Sequence, residues 1–556
     1  MDYSINIAPL LQSLGLTHVI VCPGSRSAPL TIAFARTAGI TCKVVFDERS
    51  AGYIALGIAA HLQKPVAVIT TSGTAAINLY PAVAEAYFQQ IPLLIITADR
   101  PPEWIGQREG QSVYQDRLYG FHAKNYYSLP VDKIHSDAKY ATARMAQDAY
   151  NEAYSLPYGP VHINVPLREP LYPQHTDSMV YDKSIIISKK HSPTLNVSDT
   201  TWKYIEKIVS QNTKIVILAG QQVPDDSLNI ALVPFLKNIT IIGEPLSNIQ
   251  SEGIINSCFQ ALFAHAGEEL KPDILITIGA NMVSKAIKQY FTKYKPAHHL
   301  HIGIESRFID PMQTITQYIP MKPSIFFVNL IKNININPDI RYYEAWHNIY
   351  SSITKTKYQY LDNHASDAEL IYFYHIINAL PERVALHLSN SLPIRYLNYV
   401  SKLHISYYCN RGTSGIDGCT STAVGYTWAN TALTNILITG DMAFLYDKNA
   451  LWHNDIPDNL KIIVFNNHSG GIFHTLPGPK QLPENSTYFA GHQPYGAQHI
   501  AAHYGIGYTL VQKLDEFQIT ISAFLQKNGC HILEIETDAQ LNAQYLSDFE
   551  KHLQLS

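Results

Sequence analysis

One order of three short stretches constrains this chain most, because it occurs twice. VIVCPGSRS, VVFDERSAGYIALG and AVITTSGTAAINL follow one another between residues 19 and 79, and ALHLSNSLPIR, YYCNRGTSGIDGCTSTAVG and ILITGDMAFLYDKNAL between 385 and 451. Each is a β-rich apolar run with a turn and a helical pattern behind it. Strands that are apolar throughout and alternate with helices require a parallel sheet covered on both faces. The first copy runs through HVIVC, CKVVF, PVAVIT and PLLIITA, with helices expected to begin near Ser27, Ser50 and Ser72, and VHINVP closes it. The polar stretch 181–201 reads as a linker, and KIVILAG, ITIIG, DILITIG and HLHIGI form a separate α/β set before the second copy. The expected fold is α/β, three doubly wound parallel-sheet domains at 1–180, 200–340 and 360–556, the first and third duplicated. The repeat distance is far too long for a solenoid.

A chain of 556 residues exceeds what one core serves. Its formal net charge of −4 offers no basic excess to neutralise phosphates, so nucleic acid is not an expected partner. No apolar run is long enough to span a bilayer, and MDYSINIAPLLQSLGL lacks a basic segment followed by a long apolar one. The six cysteines are scattered without CxxC or Cys/His ligand spacing, a pattern that suits a reducing cytoplasm.

Ligands of open parallel sheets sit at the carboxyl ends of the strands. Ser25, Arg26, Glu48, Ser72 and Arg100 fall there in the first copy, and Ser391, Arg395, Arg411, Asp441 and Asn467 in the second. Glu48 taken alone is a capping or surface acid, Gly440-Asp441 a cap and Asn466-Asn467 a turn. The last two pairs each follow an apolar strand and stand about two dozen residues apart, one strand-to-strand crossover. The Asp441 carboxylate, the Asn467 amide carbonyl and a loop carbonyl near Ser469 are hard oxygen donors suited to Mg²⁺. Helix N-termini beside them favour the phosphate oxygens that usually complete such a site.

This Gly-Asp to Asn-Asn spacing resembles the diphosphate and magnesium motif of thiamine-diphosphate enzymes, which are built from pyrimidine-binding, central and diphosphate-binding domains. Further stretches narrow the resemblance: CPGSRSAPLT (22–31), FDERSAGYIALG (46–57), TSGTAAINLYPAVAEA (71–86), TADRPPE (97–103), NRGTSGIDGCTSTA (410–423) and GGIFHTLP (470–477). Across the whole chain they are similar to the 2-succinyl-5-enolpyruvyl-6-hydroxy-3-cyclohexene-1-carboxylate synthases of menaquinone biosynthesis.

The resemblance implies that Glu48 contacts the pyrimidine ring nitrogen of thiamine diphosphate and helps the ring reach its imino tautomer. It implies that Ile416 is the apolar wedge that bends the cofactor. Gly440, Asp441, Met442, Ala443, Asn467, Ser469, Gly470, Ile472 and Phe473 are the implied cofactor-binding set, with Leu476 beside them, and Asp441, Asn467 and Ser469 the ligands of Mg²⁺ or Mn²⁺. Asp47 and Arg49 read as locally paired or solvent-facing. The implied reaction is decarboxylation of 2-oxoglutarate and 1,4-addition of the succinyl-semialdehyde carbanion to isochorismate. Both substrates are dianions, and an uncompensated buried carboxylate is very costly. Arg26, Arg100, Lys285, Arg395 and Arg411 match basic positions of the family, and Ser25, Gln111 and Ser391 its polar ones. A homodimer or dimer of dimers with sites at the interface is implied. Met442, Ala286 and Gly110 depart from residues that other members can carry there.

Three other readings compete. A related 2-oxoacid decarboxylase or acetohydroxyacid-type synthase would take another acceptor. A non-catalytic cofactor-binding protein would be free to lose Glu48, Asp441 or Asn467, all of which are present. A nucleotide-binding module would show GxGxxG after a central strand, and none is there.

Overall fold

The computed structural model describes residues 3–131, 135–172, 182, 184–190, 195–305 and 307–555. The linker read at 181–201 lies partly outside them. Every strand pairing described is parallel.

The first sheet contains β1 (His18–Val21), β2 (Thr41–Val44), β3 (Val66–Thr70), β4 (Leu93–Asp99), β5 (Tyr126–Ser128) and β6 (Val161–Pro166), in the order β2-β1-β3-β4-β6-β5. The second holds β7 (Ile215–Ala219), β8 (Thr240–Gly243), β9 (Ile274–Ile278), β10 (His298–Gly303) and β11 (Gln317–Pro320), in the order β11-β10-β9-β7-β8. The third holds β12 (Ala385–Leu388), β13 (Ser406–Cys409), β14 (Asn435–Gly440), β15 (Leu460–Asn466), β16 (Gly507–Val511) and β17 (His531–Glu536), in the order β13-β12-β14-β15-β17-β16. The first and third sheets therefore take their strands in one and the same order, as the duplicated sequence layout requires. In both, the order turns back beside the sheet's first strand, and that switch point is where an open α/β sheet leaves a crevice.

Burial explains the pattern. All of β3 and β4 is buried, because helices cover both faces. The edge strands β2, β5 and β16 are partly exposed and carry polar residues.

The chain divides into two compact units. One comprises Met1–Ser192, Asn410–Asn435 and Ala443–Leu460. Its core lies between the first sheet and its helices, around Val19, Val21, Ile69, Leu94, Ile96 and Ile163. Within this unit the helix Glu48–Leu62 packs along the helix Cys419–Ala429. Glycines set the spacing: a Cβ on Gly57 would stand 2.1 Å from the Thr422 carbonyl oxygen, and one on Gly425 1.9 Å from that of Ile54.

The other unit comprises Pro193–Cys409, Ile436–Met442 and Lys461–Ser556. One core runs through its second and third sheets, filled by Trp346, Tyr372, Phe373 and Phe549. Asn248 fastens the β13 edge: its Nδ2 donates to the Tyr407 carbonyl at 3.0 Å, and its Oδ1 accepts the Tyr407 N–H at 2.8 Å.

Candidate active site

The turn after β2 decides how Glu48 is presented. Asp47 is the N-cap of the helix Glu48–Leu62, and its carboxylate accepts the Ser50 N–H at 3.2 Å. The helix thus begins at Glu48 rather than near Ser50, and the capping task falls to the neighbouring acid. Glu48 is half-buried, and among the described residues no hydrogen bond or ion pair engages its carboxylate. It stands close to Cys22 at the end of β1, whose buried thiol is pushed far up, first by burial and then by the Glu48 charge.

The neighbouring strand ends carry the expected cations. Arg26 is buried, donates to the Leu167 carbonyl at 3.0 Å and pairs with Glu169 at 3.5 Å. Burial, and next the charge of Arg100, lower its pKa. Arg100 donates to the Gly110 carbonyl at 2.6 Å and lies 3.6 Å from Glu109. Ser25 and Gln111 are exposed on the adjoining loops. The Gln111 backbone covers the turn after β3, 3.0 Å from where a Cβ on Gly73 would sit. Behind it, Thr71 and Ser72 are buried with hydroxyls that find no partner among the described residues. A buried hydroxyl without a partner is costly, so these orphans mark a surface shaped for a polar ligand.

Glu85 and Gln115 support this edge, and neither stands out in the sequence. Gln115 accepts the Gly73 N–H at 3.0 Å and donates to the Asn164 Oδ1 at 2.8 Å. Glu85, also buried, accepts from the backbone N–H groups of Gly412 and Thr413 at 2.7 and 2.6 Å. It thereby fixes the loop that carries Arg411 and Ile416. On that loop Asp417 takes the Tyr53 hydroxyl at 2.6 Å. Gly418, at φ 69°, admits the Tyr53 ring where a Cβ would stand 2.2 Å from it. Ile416 itself is 37% exposed, which suits a wedge and not the core position its type suggests.

Asp447, in the same unit, accepts the N–H and the hydroxyl of Ser421 at 2.7 and 2.8 Å. Burial raises its pKa from 3.8 to about 7. In that window the folded chain holds a proton that the unfolded chain releases, so stability falls as pH rises through it. Urea unfolding should show wild type losing up to about 1.4 kcal/mol per pH unit there relative to Asp447→Asn.

The second unit carries the oxygen-rich edge. Asp441 follows β14 and Asn467 follows β15, the adjacent strand of the sheet. Both are buried, and burial raises the Asp441 pKa to about 6. Gln493 donates to Asp441 at 2.7 Å and to the Asn466 Oδ1 at 3.3 Å, bridging the two strand ends. Asn467 Nδ2 donates to Glu369 at 2.7 Å, which fixes the amide, and its Oδ1 accepts the N–H and hydroxyl of Ser469 at 3.1 and 3.2 Å. The Ser469 carbonyl accepts the Gly471 N–H at 2.9 Å and keeps a second lone pair. A carboxylate, an amide oxygen and a carbonyl fit a hard divalent cation. Met442 is half-buried, Gly470 donates its N–H to the Ala490 carbonyl at 2.6 Å, and Ile472 and Phe473 are half-buried just beyond; Ala443, buried, belongs to the other unit.

Ser391 adopts φ 80° at the turn after β12, and its carbonyl accepts from Arg395. Lys285 is the exposed first residue of the helix Lys285–Lys293, which follows β9, the central strand of the second sheet. Glu244 ties the turn before it, accepting the Val283 and Ser284 N–H groups at 2.7 and 2.6 Å and the Asn398 amide at 3.2 Å. Ser25, Arg26, Glu48, Arg100, Gln111, Arg411 and Ile416 thus belong to one unit; Lys285, Ser391, Arg395, Asp441, Asn467 and Ser469 belong to the other.

Residues 1–120 match the family model "Thiamine pyrophosphate enzyme, N-terminal TPP binding domain". The 2-succinyl-5-enolpyruvyl-6-hydroxy-3-cyclohexene-1-carboxylate synthase of Cytophaga hutchinsonii is 36% identical over 100% of both chains. The chain belongs to this synthase family. The synthase of Flavobacterium johnsoniae is 36% identical over 99% of this chain and 98% of its own, and that of Bacteroides thetaiotaomicron 34% identical over the same shares. Thiamine diphosphate is the cofactor of the family to which these synthases belong, and the orphaned hydroxyls and the oxygen-rich edge fit it. Among the described residues no helix is long and apolar enough to cross a membrane.

Proposed function

We propose that this chain is a thiamine-diphosphate-dependent synthase that decarboxylates 2-oxoglutarate and adds the succinyl-semialdehyde carbanion to isochorismate in menaquinone biosynthesis. The observation that carries the reading is identity of 36% along the whole of both chains to a synthase of that name. The functional division follows the three sheets: residues 1–180 for the pyrimidine, 200–340 as the central domain and 360–556 for the diphosphate. The six free cysteines suit a cytoplasmic setting.

Thiamine diphosphate supplies the electron sink that a 2-oxoacid needs in order to lose carbon dioxide and pass on its acyl carbon. The chain supplies the rest. Glu48 would hold a proton at the pyrimidine ring nitrogen, and Ile416 would be the apolar wedge against the cofactor. Asp441, the Asn467 Oδ1 and the Ser469 carbonyl would hold Mg²⁺ or Mn²⁺, which would supply positive charge for the diphosphate. Arg26, Arg100, Lys285, Arg395 and Arg411 pair with substrate carboxylates and stabilise the charge that grows on the acceptor carboxylate during 1,4-addition. Ser25, Gln111 and Ser391 orient the substrates. We place the complete site in a homodimer or dimer of dimers, each centre built from two copies of the chain.

Turnover with 2-oxoglutarate and Mg²⁺, with and without isochorismate, tests this reading. Isochorismate-dependent consumption of 2-oxoglutarate is expected, and its absence overturns the assignment of the acceptor. Asp441→Ala should weaken Mg²⁺-dependent cofactor binding, read by fluorescence quenching, at least about tenfold, since even residues that only support metal ligands cost that much.

A further inference from the structure

Three residues around the proposed acid, Phe46, Asp47 and Arg49, are held by one distant stretch of the chain. The Asn449 Nδ2 donates to the Asp47 Oδ2 at 2.7 Å. Arg49 donates to the Tyr446 carbonyl at 2.7 Å and lies 4.5 Å over the Tyr446 ring. Phe46 packs on Trp452 with ring centroids 5.3 Å apart. All of these residues belong to one compact unit. The bracing stretch is itself anchored, because Asp447 binds the start of the helix Cys419–Ala429 through Ser421, and that helix packs on the helix Glu48–Leu62. The result is a closed frame whose members touch the residue before Glu48 and the residue after it, and leave Glu48 itself alone.

We propose that Asp47 and Arg49, clamped by Asn449 and Tyr446, are positioning residues that aim the Glu48 carboxylate. The proposal rests on the thiamine-diphosphate role given to Glu48. Asp47 has two separable tasks: its Oδ1 caps the helix through Ser50, while its Oδ2 takes the brace from Asn449. Removing Asn449 therefore loosens the aim without uncapping the helix. Arg49 also has two tasks, a hydrogen bond and a cation–π contact, and alanine loses both. A turn free to rock by an ångström misplaces the acid from the nitrogen it must reach, and such misplacement costs up to about a hundredfold in rate.

The test uses the full chain. Three quantities are measured for Asn449→Ala, Arg49→Ala, Arg49→Lys and the double variant Arg49→Ala/Asn449→Ala. They are thiazolium proton–deuterium exchange of bound cofactor, cofactor affinity with Mg²⁺, and amide hydrogen exchange over residues 44–57 without cofactor. Exchange of the thiazolium proton should slow about tenfold in the double variant and less in each single one, consistent with a modest loss of orientation. Cofactor affinity should stay within about twofold of wild type, because the diphosphate and cation residues are untouched, and Arg49→Lys should recover part of the rate through its remaining donor. Amide exchange over 44–57 should quicken before any cofactor is added. Wild-type proton exchange in a folded double variant overturns the brace. If the double variant does not fold, Asn449→Ala decides alone, wild-type exchange again overturning the proposal. Glu48→Gln run alongside separates the two ideas: if it exchanges like wild type, the role of Glu48 itself fails.

Discussion

Glu48→Gln should yield a folded protein that binds thiamine diphosphate and Mg²⁺ and turns over about a thousandfold slower, since a positioned proton-transfer group contributes about 10²–10⁴ in rate. The amide fills the same space but cannot share a proton with the ring nitrogen. Stability should change little. Asp47 caps the helix, so Glu48 contributes only the dipole effect of an acid in the first turn, about 0.3–1 kcal/mol. Two measurements together check this: kcat with 2-oxoglutarate and isochorismate, and thiazolium proton exchange of the bound cofactor. Turnover near that of wild type would remove the role assigned to Glu48, and lost cofactor binding would recast it as a binding residue.

Gly425→Val should destabilise the protein by about 3 kcal/mol, the upper range of overpacking costs. On an ordinary helix, replacing glycine adds propensity and helps. Here the sign reverses because the atoms in the way are backbone: the new Cβ would stand 1.9 Å from the Ile54 carbonyl oxygen and 2.7 Å from its carbon. Neither helix can yield by rotating a side chain, so the two must separate. The same separation would disturb the Tyr53–Asp417 bond and the loop that presents Ile416. Urea unfolding measures the loss. Gly440→Ala is the control, since its Cβ would meet nothing within 4 Å and the stability of the apo protein should hardly move.

The interior strands were legible because burial on both faces leaves a continuous apolar run, as in β4, where all seven residues are buried. The edge strands Tyr126–Ser128, Gln317–Pro320 and Gly507–Val511 were not, since their outward residues are mostly not apolar, whereas the edge strands Thr41–Val44, Thr240–Gly243 and Ser406–Cys409 lie in apolar or aromatic runs and were. His531–Glu536 was missed for another reason. It is an interior strand, yet it carries Glu534, whose buried carboxylate is satisfied by Asn466, the Ala497 N–H and the Tyr508 hydroxyl. No local pattern announces partners that far away. The same holds at the site. Glu48, Asp441 and Asn467 could be read because strand ends concentrate chemistry, whereas Glu85 and Glu369 act on loops far along the chain. Asp47 and Arg49 read as local or solvent-facing; Asp47 does pair locally with Ser50, but the two also reach the distant Asn449 and Tyr446.

The division of labour between Asp47 and Glu48 bears on how this lineage can decay. A gene copy that drifted at position 48 would still encode a sound helix start, an intact sheet and a soundly packed neighbour, because no structural duty rests on that carboxylate. A single codon would therefore separate a working copy from an inert one of the same shape.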